Sequence, residues 1–154
     1  MSTNWKNLLC ALDFSDCSRR ALELAAALAA EHQAELTLVH VCPLMQAVFP
    51  GGLLQPQPAP LATMEADAQQ MLDLWRGRAE ELGAVSVRTI VRVGAVWRSI
   101  VNLAEEDHSD LIVIGTHGRT GVRHLLLGSV AEQVVRHAHC PVLTVGRPAA
   151  AQAA

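Results

Sequence analysis

The sequence predicts an α/β fold in which a parallel sheet carries helices on both faces. Short apolar runs of strand length alternate with longer helical stretches along the 154 residues, and strands joined by helical crossovers form parallel sheets. The run Leu111–Ile114 is continuously apolar, as expected of a central strand that is covered on both sides. A chain of this length is expected to form one domain with a substantial core.

The first half of the chain predicts two strands and two helices. The strands are Leu8–Leu12 and Glu35–Val41, and the helices run from about Asp16 to His32 and from about Ala62 to Leu82. Ser15 is placed to cap the first helix, whose alanine- and leucine-rich body has a high helix propensity. Gly83 is a usual C-terminal glycine for the second helix.

The second half predicts three further strands and two helices. The strands are Val85–Val93, Leu111–Ile114 and Val142–Val145, and the helices cover about Val96–Asp107 and Val130–His137. The helix from Val96 is amphipathic, because its pattern places four apolar side chains on one face. These four are Trp97, Ile100, Val101 and Ala104.

Residues 43–60 form an unusual connection, because they contain five of the seven prolines and Gly51-Gly52. A loop insertion of this length is longer than most α/β connections. It leaves the carboxyl end of the second strand, the side on which such sheets bind ligands. A lid over a ligand and a solvated spacer are both open interpretations, and the spacer is favoured. Residues 147–154 are predicted to be a disordered tail.

The composition excludes several classes of protein. The longest apolar stretches fall short of the ~20 residues that a membrane span needs, and the polar start, Met1–Asn7, argues against a signal peptide. Four dispersed cysteines without a C-x-x-C pair favour a reduced, cytoplasmic setting. With 18% charged residues, a net charge of −3 and no basic stripe, nucleic-acid binding is not indicated.

The most informative stretch is Gly115-Thr-His-Gly118, followed after nine residues by Gly128-Ser129. A strand leads into a glycine-containing loop and then into a helix, so free backbone N–H groups and the helix dipole converge on a site suited to phosphate. We expect the glycines to provide positive φ or a close approach to the ligand. No acidic residue occurs between Asp110 and Glu132, whereas two arginines do. The alternative is a surface loop that is basic by chance.

This motif and its flanks resemble the universal stress protein family, in particular the ATP-binding subgroup with the signature G-x-x-G, nine residues, G-[S/T]. The likeness covers residues 4 to 146, and the long 43–60 segment and Cys140 depart from the family pattern. Further agreement is found in Leu12-Asp-Phe-Ser15, His40-Val41, Gly94, Gly128-Ser-Val-Ala-Glu132 and Cys140-Pro-Val-Leu-Thr-Val145. The resemblance implies a single-domain Rossmann-like fold of the adenine nucleotide alpha hydrolase-like type, with five parallel strands in the order 3-2-1-4-5. The domain would span residues 1–146.

The resemblance also implies a ligand, ATP or alternatively AMP or ADP, accompanied by Mg²⁺ at the phosphates. The adenosine end would meet Ala11, Leu12, Asp13, Val41 and Ile114. The phosphates and ribose would be wrapped by Gly115, Thr116, His117, Gly118 and Arg119, and closed over by Gly128, Ser129 and Val130. A homodimer paired through the edge strand Val142–Val145 is likewise implied, and an exposed strand edge invites such pairing.

Several of these residues have a purely structural alternative. Ser129-x-x-Glu132 is also a capping box, and Asp13 could stabilise a turn instead of contacting adenosine. Val41 could belong to the core, and His117 could be a solvated loop residue. The run His137-Ala-His-Cys140 is not expected to bind metal, because its spacing matches no usual zinc site.

The residues favour binding of a nucleotide over rapid turnover. The chain has a single lysine, Lys6, so no Walker-type lysine is available, and Asp13 is the only carboxylate predicted at the carboxyl end of a strand. Slow hydrolysis of ATP is an open alternative, as is a dimeric interaction protein that binds no nucleotide, although such family members usually lack the glycine motif. A receiver domain is excluded, since Val93-Gly94 stands where it needs a phosphoacceptor aspartate.

Overall fold

The computed structural model describes residues 4–44, 58–117 and 127–147. Its five strands form one parallel sheet in the order β3-β2-β1-β4-β5, which confirms the predicted fold class and strand order. The elements are β1 (Asn7–Ala11), α1 (Asp16–His32), β2 (Glu35–Pro43), α2 (Pro58–Glu81), β3 (Ser86–Gly94), α3 (Val96–Glu106), β4 (Leu111–Gly115), α4 (Ser129–His137) and β5 (Val142–Val145).

The main difference from the predicted elements is the start of α2. The helix begins at Pro58, four residues before the predicted start, and Pro43 ends β2, so the connection is shorter than residues 43–60. Proline is well tolerated in the first turn of a helix, where its missing N–H has no intrahelical acceptor. The predicted lid or spacer lies largely outside the described residues, as does the tail from residue 148.

The core consists of two layers, one on each face of the sheet. Successive side chains of a strand point to opposite faces, and β1 shows this directly. Leu8 and Cys10 are fully buried against α1 and α2, whereas Leu9 and Ala11 are buried against α3 and α4. The side chains of β4 alternate between the two layers in the same way. This confirms that helices cover both faces of this continuously apolar strand.

The helix ends follow the predicted signals. Ser15 is the N-cap of α1, and its Oγ accepts the Ser18 N–H at 3.2 Å. At the end of α2, Gly83 has a φ of +101°, and its N–H donates to the Glu80 carbonyl at 3.0 Å. Glycine adopts a φ of this size without the steric cost that a Cβ would bring, so the sequence requirement at Gly83 is conformational.

The amino ends of β1 and β4 are held together by Asp110. Its carboxylate accepts the backbone N–H groups of Lys6 at 2.7 Å and Asn7 at 2.8 Å. This contact places both Asp110 and the single lysine of the chain at the opposite end of the sheet from the glycine motif. Within the described residues, no helix is long and apolar enough to cross a membrane.

Candidate functional site

The two loops that were predicted to form a ligand site meet at the carboxyl edge of the sheet. The strands β1 and β4 are paired neighbours, with Ala11 opposite Ile114, so the chain leaves both strands side by side. The Oγ of Ser15, in the loop after β1, donates to the carbonyl of His117, in the loop after β4, at 3.4 Å. The prediction that these loops come together is therefore confirmed.

Gly115 is required by helix packing, and the expectation that this glycine provides a positive φ is wrong. Its φ is not positive. A Cβ on Gly115 would lie 2.9 Å from the Cys17 Cβ and 3.1 Å from the backbone nitrogen of Ser18. The end of β4 thus passes directly against the first turn of α1, and a side chain at this position would separate the two elements.

Gly128 has a similar role at the other end of the loop. Its N–H donates to the Thr116 carbonyl at 2.5 Å, and a Cβ on Gly128 would meet the same oxygen at 2.8 Å. The N–H of Thr116 in turn donates to the Val145 carbonyl at 2.9 Å. Thr116 is only 8% exposed. These contacts close the base of the loop, so that α4 starts beside the ends of β4 and β5.

The start of α4 excludes the capping-box interpretation of Ser129. The N-cap is Gly128, and Ser129 is the first helical residue, with an exposed side chain. The Glu132 carboxylate pairs with Arg136 at 2.9 Å instead of reaching back to the N-cap. The Ser129 hydroxyl therefore stands at the helix start among backbone N–H groups that have no intrahelical acceptor, and the adjacent Val130 is partly buried.

Asp13 forms the turn contact that its structural alternative predicted. Its Oδ1 accepts the Ser15 N–H at 3.0 Å, which is a typical Asx turn. Between these residues, Phe14 adopts a left-handed backbone with a φ of +63°. The aspartate is thereby held at the carboxyl end of β1, partly exposed and facing the same edge as the glycine motif.

The apolar members of the predicted adenosine site are core residues. Ala11, Val41 and Ile114 are 5–6% exposed and belong to the layer under α3 and α4, so the core alternative for Val41 is confirmed. Leu12 is 4% exposed and belongs to the opposite layer. These residues offer a ligand mainly their backbone and the rims of their side chains. Gly118 and Arg119 lie outside the described residues.

The histidines and cysteine at the end of α4 and just after it have separate partners. His137 stacks on Trp97 with ring centroids 4.6 Å apart, whereas His139 faces Glu105 at 3.8 Å. Burial raises the pKa of the Cys140 thiol. In the described ranges, no group of three or more His, Cys, Asp or Glu residues is arranged to hold a metal ion.

Sequence reasoning missed the aromatic contacts behind the Asp13 turn. The Phe14 ring stacks on the His40 imidazole at 4.6 Å, with an interplanar angle of 25°. The same ring meets the edge of Trp75 at 5.3 Å. The only sequence signals were an imidazole within a strand and an aromatic residue within a turn, neither of which reveals a contact between distant segments.

Comparisons of this chain with family models, sequences and solved structures all identify the same family. The model of the universal stress protein family matches residues 4–146. A universal stress protein of Methanocaldococcus jannaschii is 37% identical over 146 residues, which cover 94% of this chain and 84% of that protein. The structure of a second universal stress protein of that organism superimposes with a TM-score of 0.82 at 28% identity, over 96% of this chain and 99% of its own.

Two similar structures contain nucleotides. A universal stress protein in complex with cAMP has a TM-score of 0.74 and 27% identity, and the match covers 93% of this chain and 98% of the other. The universal stress protein of Archaeoglobus fulgidus in complex with dAMP has a TM-score of 0.65 and 25% identity, with 93% and 99% of the chains covered.

Proposed function

Because this chain belongs to the universal stress protein family, we propose that it binds ATP where the loops after β1 and β4 meet the start of α4. The observation that carries this proposal is the 2.5 Å hydrogen bond from Gly128 to Thr116. This contact holds the N-terminus of α4 at the end of β4, where the His117 carbonyl contacts Ser15 of the turn after β1. Helix N-termini bind phosphates through backbone N–H groups and the helix dipole. The cAMP and dAMP complexes of similar proteins support an adenine nucleotide as the ligand class.

The residues present fit the chemistry of such a ligand. The phosphates would be held by the first-turn N–H groups of α4, by the exposed Ser129 hydroxyl and by the loop residues Gly118 and Arg119. The Asp13 carboxylate, which accepts hydrogen bonds when ionised, would meet the hydroxyl or amino donors of adenosine. The rims of Val41 and Ile114 would lie against the base. Mg²⁺ would neutralise part of the phosphate charge.

We propose that the protein holds ATP and at most hydrolyses it slowly. Phosphoryl transfer needs groups that stabilise charge on the transferred phosphate and position the nucleophile. Lys6 is held at the amino end of the sheet through its contact with Asp110, and Asp13 is engaged in its turn. The protein would therefore serve as a nucleotide-dependent stress-response or signalling protein in the cytoplasm.

The direct experiment is to denature purified protein and to chromatograph the released nucleotide, with calorimetric titration of ATP into nucleotide-free protein. We expect adenine nucleotide in the release and saturable binding in the titration. Ser129→Ala should raise the Kd about tenfold or more, since a hydrogen bond to a charged group contributes about 1.5–3 kcal/mol. The control Ser86→Ala changes an exposed serine at the start of β3 and should leave the Kd unchanged. No released nucleotide and no binding heat would refute the proposal.

We further propose a homodimer that pairs β5 with its symmetry mate. This strand lies at one edge of the sheet, and an unpaired edge is satisfied by an isologous strand pair. The carbonyls of Pro141 and Val145 face β4, so the backbone groups of the intervening Thr144 point to the free edge. Thr144→Pro would remove one N–H from that edge and should give monomers in sedimentation experiments, with circular dichroism as the control for folding. A dimer that persists would locate the interface elsewhere. If wild-type protein is dimeric and binds no nucleotide, the alternative of a dimeric interaction protein is favoured.

A further inference from the structure

We infer that an aromatic cluster of Phe14, His40 and Trp75 holds the β1–α1 turn in the conformation that presents Asp13 to the nucleotide. Phe14 and His40 would then be positioning residues of the site, although neither faces the start of α4. This inference rests on the proposed function for the identity of the ligand. The contacts that define the cluster are independent of any ligand.

The turn contains a backbone conformation that needs support. Phe14 has a φ of +63°, and a bulky side chain disfavours the left-handed region. Such a conformation persists only where the surroundings determine it. The residues on either side are joined by the 3.0 Å hydrogen bond from the Ser15 N–H to the Asp13 carboxylate. A relaxed backbone at Phe14 would therefore change the direction of the Asp13 side chain.

The support comes from β2 and α2. The imidazole of His40 stacks on the Phe14 ring at 4.6 Å, and its Nδ1 lies 2.8 Å from the Leu12 carbonyl. Because a carbonyl oxygen can only accept, Nδ1 carries the proton and donates it. His40 thus contacts the turn at two points, through the backbone of Leu12 and the ring of Phe14. Trp75 of α2 packs its ring against Phe14 at an interplanar angle of 81°, in the edge-to-face geometry that aromatic pairs prefer.

The turn also connects the cluster to the second loop of the site. Ser15, which directly follows Phe14, caps α1 through the Ser18 N–H and donates its hydroxyl to the His117 carbonyl. A displacement of the turn would change the cap and the contact with the loop after β4 together. The aromatic cluster therefore fixes the relative position of the two loops that would enclose the nucleotide.

The test compares Phe14→Gly and His40→Gln with wild type in two measurements, the Kd for ATP by calorimetry and the exchange rate of the Ser15 amide by NMR. We expect both variants to raise the Kd about fivefold or more and to raise the Ser15 exchange rate about tenfold, since local opening becomes easier. Phe14→Tyr keeps the ring and should restore both values. The matched control His32→Gln removes the contact of His32 with Trp5, whose ring centroids are 5.0 Å apart, and should change neither measurement.

Each outcome decides the inference. Wild-type Ser15 exchange in both variants would overturn it, as would faster exchange with an unchanged Kd. An equal acceleration of the amides of β4 would mean that the cluster serves only global stability, which would also overturn it. If wild-type protein binds no ATP, the proposed function fails. In that case, Ser15 exchange alone decides whether the cluster holds the turn.

Discussion

Replacing Gly115 by alanine is expected to destabilise the protein, although the change adds a single methyl group. The new Cβ would lie 2.9 Å from the Cys17 Cβ, 3.0 Å from the Cys17 carbonyl carbon and 3.1 Å from the Ser18 nitrogen. Two of these three atoms belong to the backbone of the first turn of α1, so no change of rotamer can relieve the contact. The helix and β4 would have to move apart.

The size of the effect follows from these contacts. Overpacking of a well-packed interior costs about 1–3 kcal/mol, and a displaced α1 would also weaken its Ser15 cap, which contributes about 1 kcal/mol. We therefore expect a loss of about 2–4 kcal/mol in the free energy of unfolding. For a domain of this size, each kcal/mol changes the Tm by about 2–4 °C, so the Tm should fall by about 4–16 °C.

The measurement is urea unfolding followed by circular dichroism, with Gly77→Ala as the matched control. Gly77 lies within α2, and an added Cβ there meets no atom within 4 Å. The same methyl group should stabilise that variant by about 0.5–1 kcal/mol, because alanine favours a helix over glycine. If Gly115→Ala unfolds at the same or a higher urea concentration than wild type, the packing explanation of Gly115 is refuted.

Three further predictions concern other contacts. Gly128→Ala should lower the free energy of unfolding by about 1–3 kcal/mol and weaken ATP binding, because its Cβ would lie 2.8 Å from the Thr116 carbonyl oxygen. Wild-type values in urea unfolding and calorimetry would contradict this. Asp110→Ala should cost about 1–3 kcal/mol in urea unfolding, since two N–H groups at the start of β1 lose their acceptor; an unchanged midpoint would count against it. Iodoacetamide should label Cys140 before the fully buried Cys10 in native protein. Because burial raises the pKa of the Cys140 thiol, the labelling rate should still rise above pH ~8.5. Mass spectrometry that finds Cys10 modified first would contradict this.

The strands and helices were predictable because their signals are local. Alternating and continuous apolar runs identified every described strand, and Ser15 and Gly83 marked a helix start and a helix end. The start of α2 was not predictable in the same way, because proline occurs both in loops and in the first turn of helices. Pro58 and Pro60 contributed to the apparent loop, yet they lie in the helix.

The physical roles of the site glycines were beyond local reasoning. The sequence reveals a glycine at position 115, but not that the backbone of Cys17 lies against it, because the two residues are far apart in the chain. Among the described glycines, positive φ occurs at Gly83 and Gly94, and not at Gly115 or Gly128. The stacking of Phe14 on His40 was likewise not predictable, because these residues are far apart in the chain and meet only through the pairing of β1 with β2.

The packing roles of two motif glycines change which variant tests nucleotide binding best. Gly115 is explained by the close passage of α1, and Gly128 by its contact with Thr116, so the fold alone requires both residues. Substituting either one would disturb the protein with or without a ligand, and a loss of binding would not identify a contact. In the described part of the motif, Ser129 is exposed and is not the helix N-cap, so its hydroxyl is not needed to start α4. A loss of ATP affinity in Ser129→Ala with an unchanged Tm is therefore the result that links the motif to a phosphate.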